Sequence, residues 1–279
     1  MKDVRLICID IDGTLLNSSD EITPATHREL ERLHAAGKTL ALVTGRRFVS
    51  AVEVARKLTV PVVLGVHNGA TLRRMDGSAV YRKTLGAVEV RRACEIAGAC
   101  GGFAWIYVDE ADSGDSRVYC EDPASAAEGV RRFATTYYAR NEQTFHVVDD
   151  LAAGYDGDAI EVMVTTAADD ADAMVFTLKS EFGERASVIK ELSSGVAQIE
   201  VAHPDVSKAL TLRFLAERDG LTRDDIMAAG DNFNDIDMLE YAGHPVVMGN
   251  AHAELKSMGY YVAPTNDEDG LAAVLAKVK

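Results

Sequence analysis

Four short stretches of the 279-residue chain gather residue types that handle charge. The first is Asp10-Ile11-Asp12-Gly13-Thr14, directly after the apolar run Leu6-Ile7-Cys8-Ile9. In extended chain, residues i and i+2 point to the same side, so the spacing predicts that the Asp10 and Asp12 carboxylates project together. Two like charges held close are costly unless a cation lies between them or one carboxyl keeps its proton. Gly13 lets the chain turn there, and an ordinary Asp-Gly turn is the competing explanation. The second stretch, Thr44-Gly45-Arg46, follows Leu42-Val43 and offers an anion a hydroxyl beside a close backbone N–H. Thr-Gly equally closes plain strand–helix turns. The third is Lys208, at the head of a predicted helix, where it opposes the helix dipole unless an anion sits alongside; taken alone it suits a solvated surface. The fourth, Gly230-Asp231-Asn232-Phe233-Asn234-Asp235, clusters hard oxygen donors. Such donors suit Mg2+, which keeps several waters and takes one or two carboxylates. A capping Asn or Asp in a polar loop explains one of these residues but not all of them.

All four stretches sit at element boundaries. Val4 to Ile9 is a β-branched run of the kind found in buried parallel strands. Thr23-Pro24 supplies an N-cap followed by proline at the first helical position, with Leu30 and Leu33 as the apolar stripe and Gly37 as the stop. Leu40 to Val43 predicts a second strand, Phe48 to Leu58 a second helix and Val60 to Val66 a third strand. This βαβαβ order predicts a parallel, doubly wound sheet with right-handed crossovers. Open α/β sheets place ligand crevices at the C-terminal ends of their strands, where Asp10, Thr44 and Asp231 fall.

The pattern then changes. Thr71 to Arg74 and Ala79 to Lys83 flank Asp76-Gly77, which predicts a hairpin. From about Gly86 to Gly195 helices mix with alternating strands, such as Ala104 to Val108 and Ala159 to Val164, with a helix over Asp169 to Phe182. Alternation predicts a half-exposed sheet covered by helices on one face only. The α/β rhythm returns with a helix over Ser207 to Arg218, a strand over Ile226 to Ala229, a helix over Asp235 to Ala242, a strand over Pro245 to Met248 and a helix over Leu271 to Val278. The expected organisation is a core domain of residues 1–84 and 196–279, interrupted by an inserted domain of residues 85–195.

With 29 Lys+Arg against 44 Asp+Glu, the formal net charge is −15. A chain this acidic, with scattered basic pairs and no basic run, is expected to bind neither nucleic acid nor an anionic membrane. Cys8, Cys94, Cys100 and Cys120 form no CxxC pair, so a zinc site has little support. The opening Met1-Lys2-Asp3-Val4-Arg5 leads into an apolar run too short for a signal segment, and no stretch reaches 18 apolar residues. A cytoplasmic protein, monomer or homodimer, is expected.

Taken in order, the four stretches resemble the motifs of the haloacid dehalogenase superfamily. The flanks Leu15-Leu16-Asn17-Ser18, His67-Asn68-Gly69-Ala70 and Pro264 to Gly270 resemble its Cof-type phosphohydrolases, and the inserted region is similar to the type IIB α+β cap. The resemblance implies a Rossmannoid core and a Mg2+-dependent phosphatase of small phosphorylated metabolites. Asp10 would be the nucleophile that forms an aspartyl-phosphate, and Asp12 the general acid and base. Thr44, the Gly45 amide and Lys208 would hold phosphate oxygens, while Asn234 would contact phosphate or order Lys208. Mg2+ would bind Asp10, the Asp12 backbone carbonyl and Asp231, with Asp235 behind them orienting Asp231 or a metal-bound water. Substrate choice would lie in the cap. A phosphotransferase such as a phosphomutase is the alternative, and a catalytically dead binding module is disfavoured because every motif position is filled. Among other residues, Trp105, Tyr107 and Tyr119 are expected in cap core, Tyr137-Tyr138 on a helix packing face, and His67 in a loop near the crevice. One of Arg46 and Arg47 is expected to reach substrate.

Overall fold

The structure, a computed structural model, describes residues 4–109, 116–193 and 195–279; Met1 to Asp3 of the opening segment lie outside the described residues. The first elements are β1 (Leu6–Ile9), α1 (Pro24–Ala35), β2 (Thr39–Val43), α2 (Phe48–Ala55), β3 (Val63–Val66), β4 (Thr71–Arg74) and β5 (Ala79–Arg82). There follow α3 (Ala87–Ala99), β6 (Phe103–Asp109), β7 (Ser116–Cys120), α4 (Glu128–Asn141), β8 (Phe145–Val147), α5 (Leu151–Gly154), β9 (Glu161–Ala167), α6 (Ala171–Phe182), β10 (Ser187–Ser193) and β11 (Val196–Ala202). The chain ends with α7 (Lys208–Asp219), β12 (Ile226–Gly230), α8 (Ile236–Tyr241), β13 (His244–Val247), α9 (Ala253–Lys256), β14 (Tyr261–Val262) and α10 (Gly270–Leu275). Among the described residues, no helix is long and apolar enough to cross a membrane.

Two compact units result, Met1–Tyr81 with Ser207–Lys279, and Arg82–Val206. The first contains an eight-stranded sheet of order β14-β13-β12-β1-β2-β3-β4-β5. Neighbours from β14 to β3 run parallel, and β3 pairs antiparallel with β4. Side chains alternate along β1, so that Ile7 and Ile9 join the core with Leu30, Leu33 and Leu275, while Leu6 and Cys8 face Leu212, Leu215 and Met238. Helices therefore cover both faces, as double winding requires. The predicted cap of α1 is present, since Thr23 Oγ1 accepts from Thr26 N–H with Pro24 at the first helical position. The two-residue β14 lies on the sheet edge and carries too short a pattern to be seen in the sequence.

The second unit has a six-stranded sheet, β10-β11-β9-β6-β7-β8, antiparallel except for β7 beside β8. Two expectations need correction. The boundary falls after Val206 and not at 195/196, because β11 is hydrogen-bonded between β9 and β10 and belongs wholly to this sheet. Nor is helical cover confined to one face. Residues of α3 and α6 pack on Ile106, Val162, Val164 and Ile199, while α4 supplies Val130 and Ala134 to a second core with Phe103, Trp105, Tyr107 and Phe145. The alternating apolar residues of β6 are large on both faces, so both need cover.

That second core is aromatic. Trp105 is fully buried, donates from Nε1 to Thr165 Oγ1 at 3.0 Å, and meets Phe145 edge-on with ring centroids 5.4 Å apart. Tyr137 and Tyr138 also pack edge-on against Phe145. Truncating Phe145 leaves a cavity on which all three rings border. Phe145→Ala should cost about 3–5 kcal/mol and lower the urea midpoint followed by fluorescence of Trp105, the chain's single tryptophan. An unchanged midpoint would contradict this role for the cluster.

Candidate active site

Parallel pairing puts the ends of β2, β1 and β12 side by side, with Ile9 opposite Leu42 on one flank and Ala229 on the other. The next residues after these strands are Thr44, Asp10 and Asp231, so three chain segments far apart in sequence deliver their side chains to one edge. β1 is also the strand at which the order reverses, the switch point where open sheets form crevices.

Lys208 ties this edge together. Its Nζ donates to Asp10 Oδ1 and to Asp235 Oδ1, both at 2.6 Å, and all three side chains are buried. The position at the start of α7, unfavourable to a cation in isolation, is thus balanced by two carboxylates. Packing of the helix start depends on Gly69, which has φ of +90°; a Cβ there would lie 2.5 Å from Ser207 O. Asp235 is fully committed, because its second oxygen accepts the backbone N–H groups of Asp231 and Asn232, each at 2.9 Å. It therefore fixes both Lys208 and the loop that carries Asp231.

The charge balance is uneven, with three clustered carboxylates against one ammonium. Burial pushes the Asp10 carboxyl well above its usual range; Lys208 opposes this, and Asp235 and Asp231 add to it. Burial, reinforced by Asp235, raises Asp231 to about 7. Burial alone would lower Lys208, but Asp10 and Asp235 outweigh it and hold the ammonium above its ordinary value. Asp10, Asp231 and Asp235 each offer a carboxylate oxygen, all within 4.8 Å of one another. Hard donors with an excess of buried negative charge fit a small divalent cation. Asp10 and Asp231 are the better placed of the three, since both oxygens of Asp235 are already engaged.

The geometry changes the reading of several residues. Asp12 is not one of the three carboxylates that lie within 4.8 Å of one another. β1 stops at Ile9, and beyond it the chain turns at Gly13, which has φ +73°, while Asp12 itself keeps an extended backbone at φ −81° and ψ 124°. Asp12 is instead half-exposed and gripped by Arg46, whose Nε and Nη2 meet its two oxygens at 2.8 and 2.5 Å. Gly13 is required for a second reason, since a Cβ there would fall 2.2 Å from Asp231 Oδ2. Asn234 does not order Lys208, a role taken by Asp235; its Nδ2 donates to Asn68 Oδ1 at 3.1 Å. Thr44 is buried and its Oγ1 accepts Arg46 N–H at 3.1 Å, which leaves its own proton for a donor role. Gly45 lies beside the Asn68 amide. His67 is buried next to this loop, with its N–H on Arg46 O.

Two residues to which the sequence assigns no role also belong here, Asn68 from one of the flanking stretches and Asn250 from outside them all. Asn68 adopts φ 49°, a left-handed conformation that Asn tolerates better than most residues, and its N–H donates to Thr44 O. Asn250 donates to Asp231 Oδ2 and to Gly13 O.

Comparison with known proteins agrees with this architecture. Residues 7–275 match the family model of the haloacid dehalogenase-like hydrolases. The pyridoxal phosphate phosphatase YbhA of Escherichia coli is 30% identical over 281 residues, covering 96% of each chain. The 5-amino-6-(5-phospho-D-ribitylamino)uracil phosphatase YcsE of Bacillus subtilis is 27% identical over 278 residues, 98% of this chain and 95% of that one. A haloacid dehalogenase-like hydrolase from Bacteroides thetaiotaomicron superposes with a TM-score of 0.77 at 25% identity, over 98% of this chain and 99% of the other.

Removing the central cation while keeping its volume tests the electrostatics. Lys208→Met leaves Asp10 and Asp235 buried without their counter-ion and should cost about 3–5 kcal/mol at neutral pH. Burial already raises the Asp10 carboxyl and Lys208 opposes that rise; without the lysine the folded state binds a proton there more readily than the unfolded chain, so stability should return as pH falls. Urea titrations at several pH values read this; a variant as stable as the parent at neutral pH would contradict the arrangement.

Proposed function

The chain belongs to the haloacid dehalogenase-like hydrolase family and is one of its phosphatases; we propose that it hydrolyses small phosphorylated metabolites with Mg2+, through a phosphoryl group carried on Asp10. The observation that carries this reading is the buried Asp10 carboxylate, held by Lys208 within 4.8 Å of ligand oxygens on Asp231 and Asp235. An acceptor of a phosphoryl group must be fixed in line with its target and sheltered from water, while the transferring group needs cations and N–H donors around its oxygens.

In this mechanism Asp10 attacks phosphorus and the substrate's ester oxygen departs. Asp12 supplies a proton to that oxygen and then takes one from the water that attacks the Asp10-bound phosphoryl group. Asp12 must turn out of the Arg46 fork and take up a proton from solvent before it makes the first transfer. Lys208, the Thr44 hydroxyl and the Gly45 N–H donate to phosphate oxygens, and Asn234, through Asn68, steadies the loop that carries Thr44. Mg2+ bound by Asp10, Asp231 and the Asp12 carbonyl would neutralise charge on the phosphoryl oxygens. Asp235 acts one layer back, on Lys208 and on the backbone of Asp231.

The named relatives act on pyridoxal phosphate and on a phosphoribitylamino-uracil. Phosphomonoesters of that size are the proposed substrates here, with the unit Arg82–Val206 proposed as the domain that sets specificity.

A panel of such esters, assayed with Mg2+ for inorganic phosphate, tests the proposal. The expected result is phosphate release with water as sole acceptor, abolished by chelation and by Asp10→Asn with the melting curve retained. Turnover in Asp10→Asn, or transfer only to a second hydroxyl, would overturn it.

A further inference from the structure

Asn250 lies outside the four motif stretches, yet its side chain joins Asp231 to two other loops. The turn after β13 is pinned by Met248 N–H on Gly230 O at 3.0 Å and by Gly249 N–H on Pro264 O at 3.2 Å. From that turn Asn250 Nδ2 donates to Gly13 O at 2.9 Å and to Asp231 Oδ2 at 3.1 Å. Its Oδ1 accepts Asn266 N–H at 3.0 Å, and Asn266 Nδ2 in turn donates to Leu16 O at 2.9 Å. Donors face donor-seeking oxygens and the acceptor faces an N–H, so the partners themselves set the orientation of the amide.

The two oxygens of Asp231 are therefore treated differently. Oδ2 receives a direct amide N–H, while Oδ1 has the Thr14 hydroxyl at a long 3.4 Å. We propose that Asn250 is the positioning residue of the cation site: it restrains one Asp231 oxygen so that the other is presented to the divalent ion. The inference rests on the proposed reading of Asp10 and Asp231 as cation donors. A carboxamide suits this role because it restrains the carboxylate without adding a fourth negative charge to a cluster that already holds three. Outer partners of this kind hold ligands in their productive orientation, and losing one commonly weakens metal affinity about 10–100-fold.

Mg2+ titration of the chelator-stripped full chain by calorimetry tests this. Asn250→Ala and the similarly sized Asn250→Leu should both raise the Mg2+ Kd at least about tenfold. Because Asn250 is exposed, the metal-free melting temperature should stay at the parent value. Saturating Mg2+ should bring phosphate release back towards the parent rate. Asn266→Ala, which loses the contact to Leu16 but keeps the backbone donor to Asn250, should bind Mg2+ as the parent does. Parent-like affinity in the two Asn250 variants, or equal weakening in Asn266→Ala, would overturn the inference while leaving the phosphatase reading intact. A parent chain that binds no Mg2+ would overturn both.

Discussion

One ammonium group between two buried carboxylates organises the site. Lys208 reaches Asp10 from one side and Asp235 from the other, with 2.6 Å contacts to each. Such a buried arrangement is not chosen for stability, since the cost of removing three charges from water rivals the attraction among them. Its value lies in what it holds still. Asp10 has an oxygen fixed, the Asp231 loop is fixed through Asp235, and the cluster retains an excess of negative charge for a cation to offset.

The sheet makes this possible at low local cost. Asp10, Thr44 and Asp231 are each the first residue beyond a strand, and the residues of Leu6–Ile9 and Ile226–Gly230 are all buried. The strands supply rigidity, and the segments that follow them, with the start of α7, supply the chemistry. Where loops approach one another, shape decides the residue. Gly13 stands against Asp231 because no side chain fits, and Asn68 takes a left-handed conformation that allows its amide to reach Asn234.

Much of this was legible in the sequence for definite reasons. Continuous apolar runs marked β1 and β2, and Thr23-Pro24 marked the start of α1, because burial on both faces and capping each leave a residue-level pattern. The positions of Asp10, Thr44 and Asp231 followed from the strand ends, and that of Lys208 from the start of a helix. What failed depended on distant partners. The sequence showed Arg46 as a candidate substrate ligand and not as the partner of Asp12, because that contact joins two separate loops. Assigning β11 to the core domain overlooked that strand pairing, which is non-local, decides membership of a sheet. Asn250 could not be found at all, since its contacts to residues 13 and 231 exist only after folding.

The central claim is that Asp10 carries the phosphoryl group, and chemical trapping addresses it most directly. Enzyme quenched during turnover and treated with borohydride should yield a peptide with homoserine at position 10, the reduction product of an acyl phosphate. Recovery of unmodified Asp10 from every quenched sample, while phosphate release continues, would contradict the account.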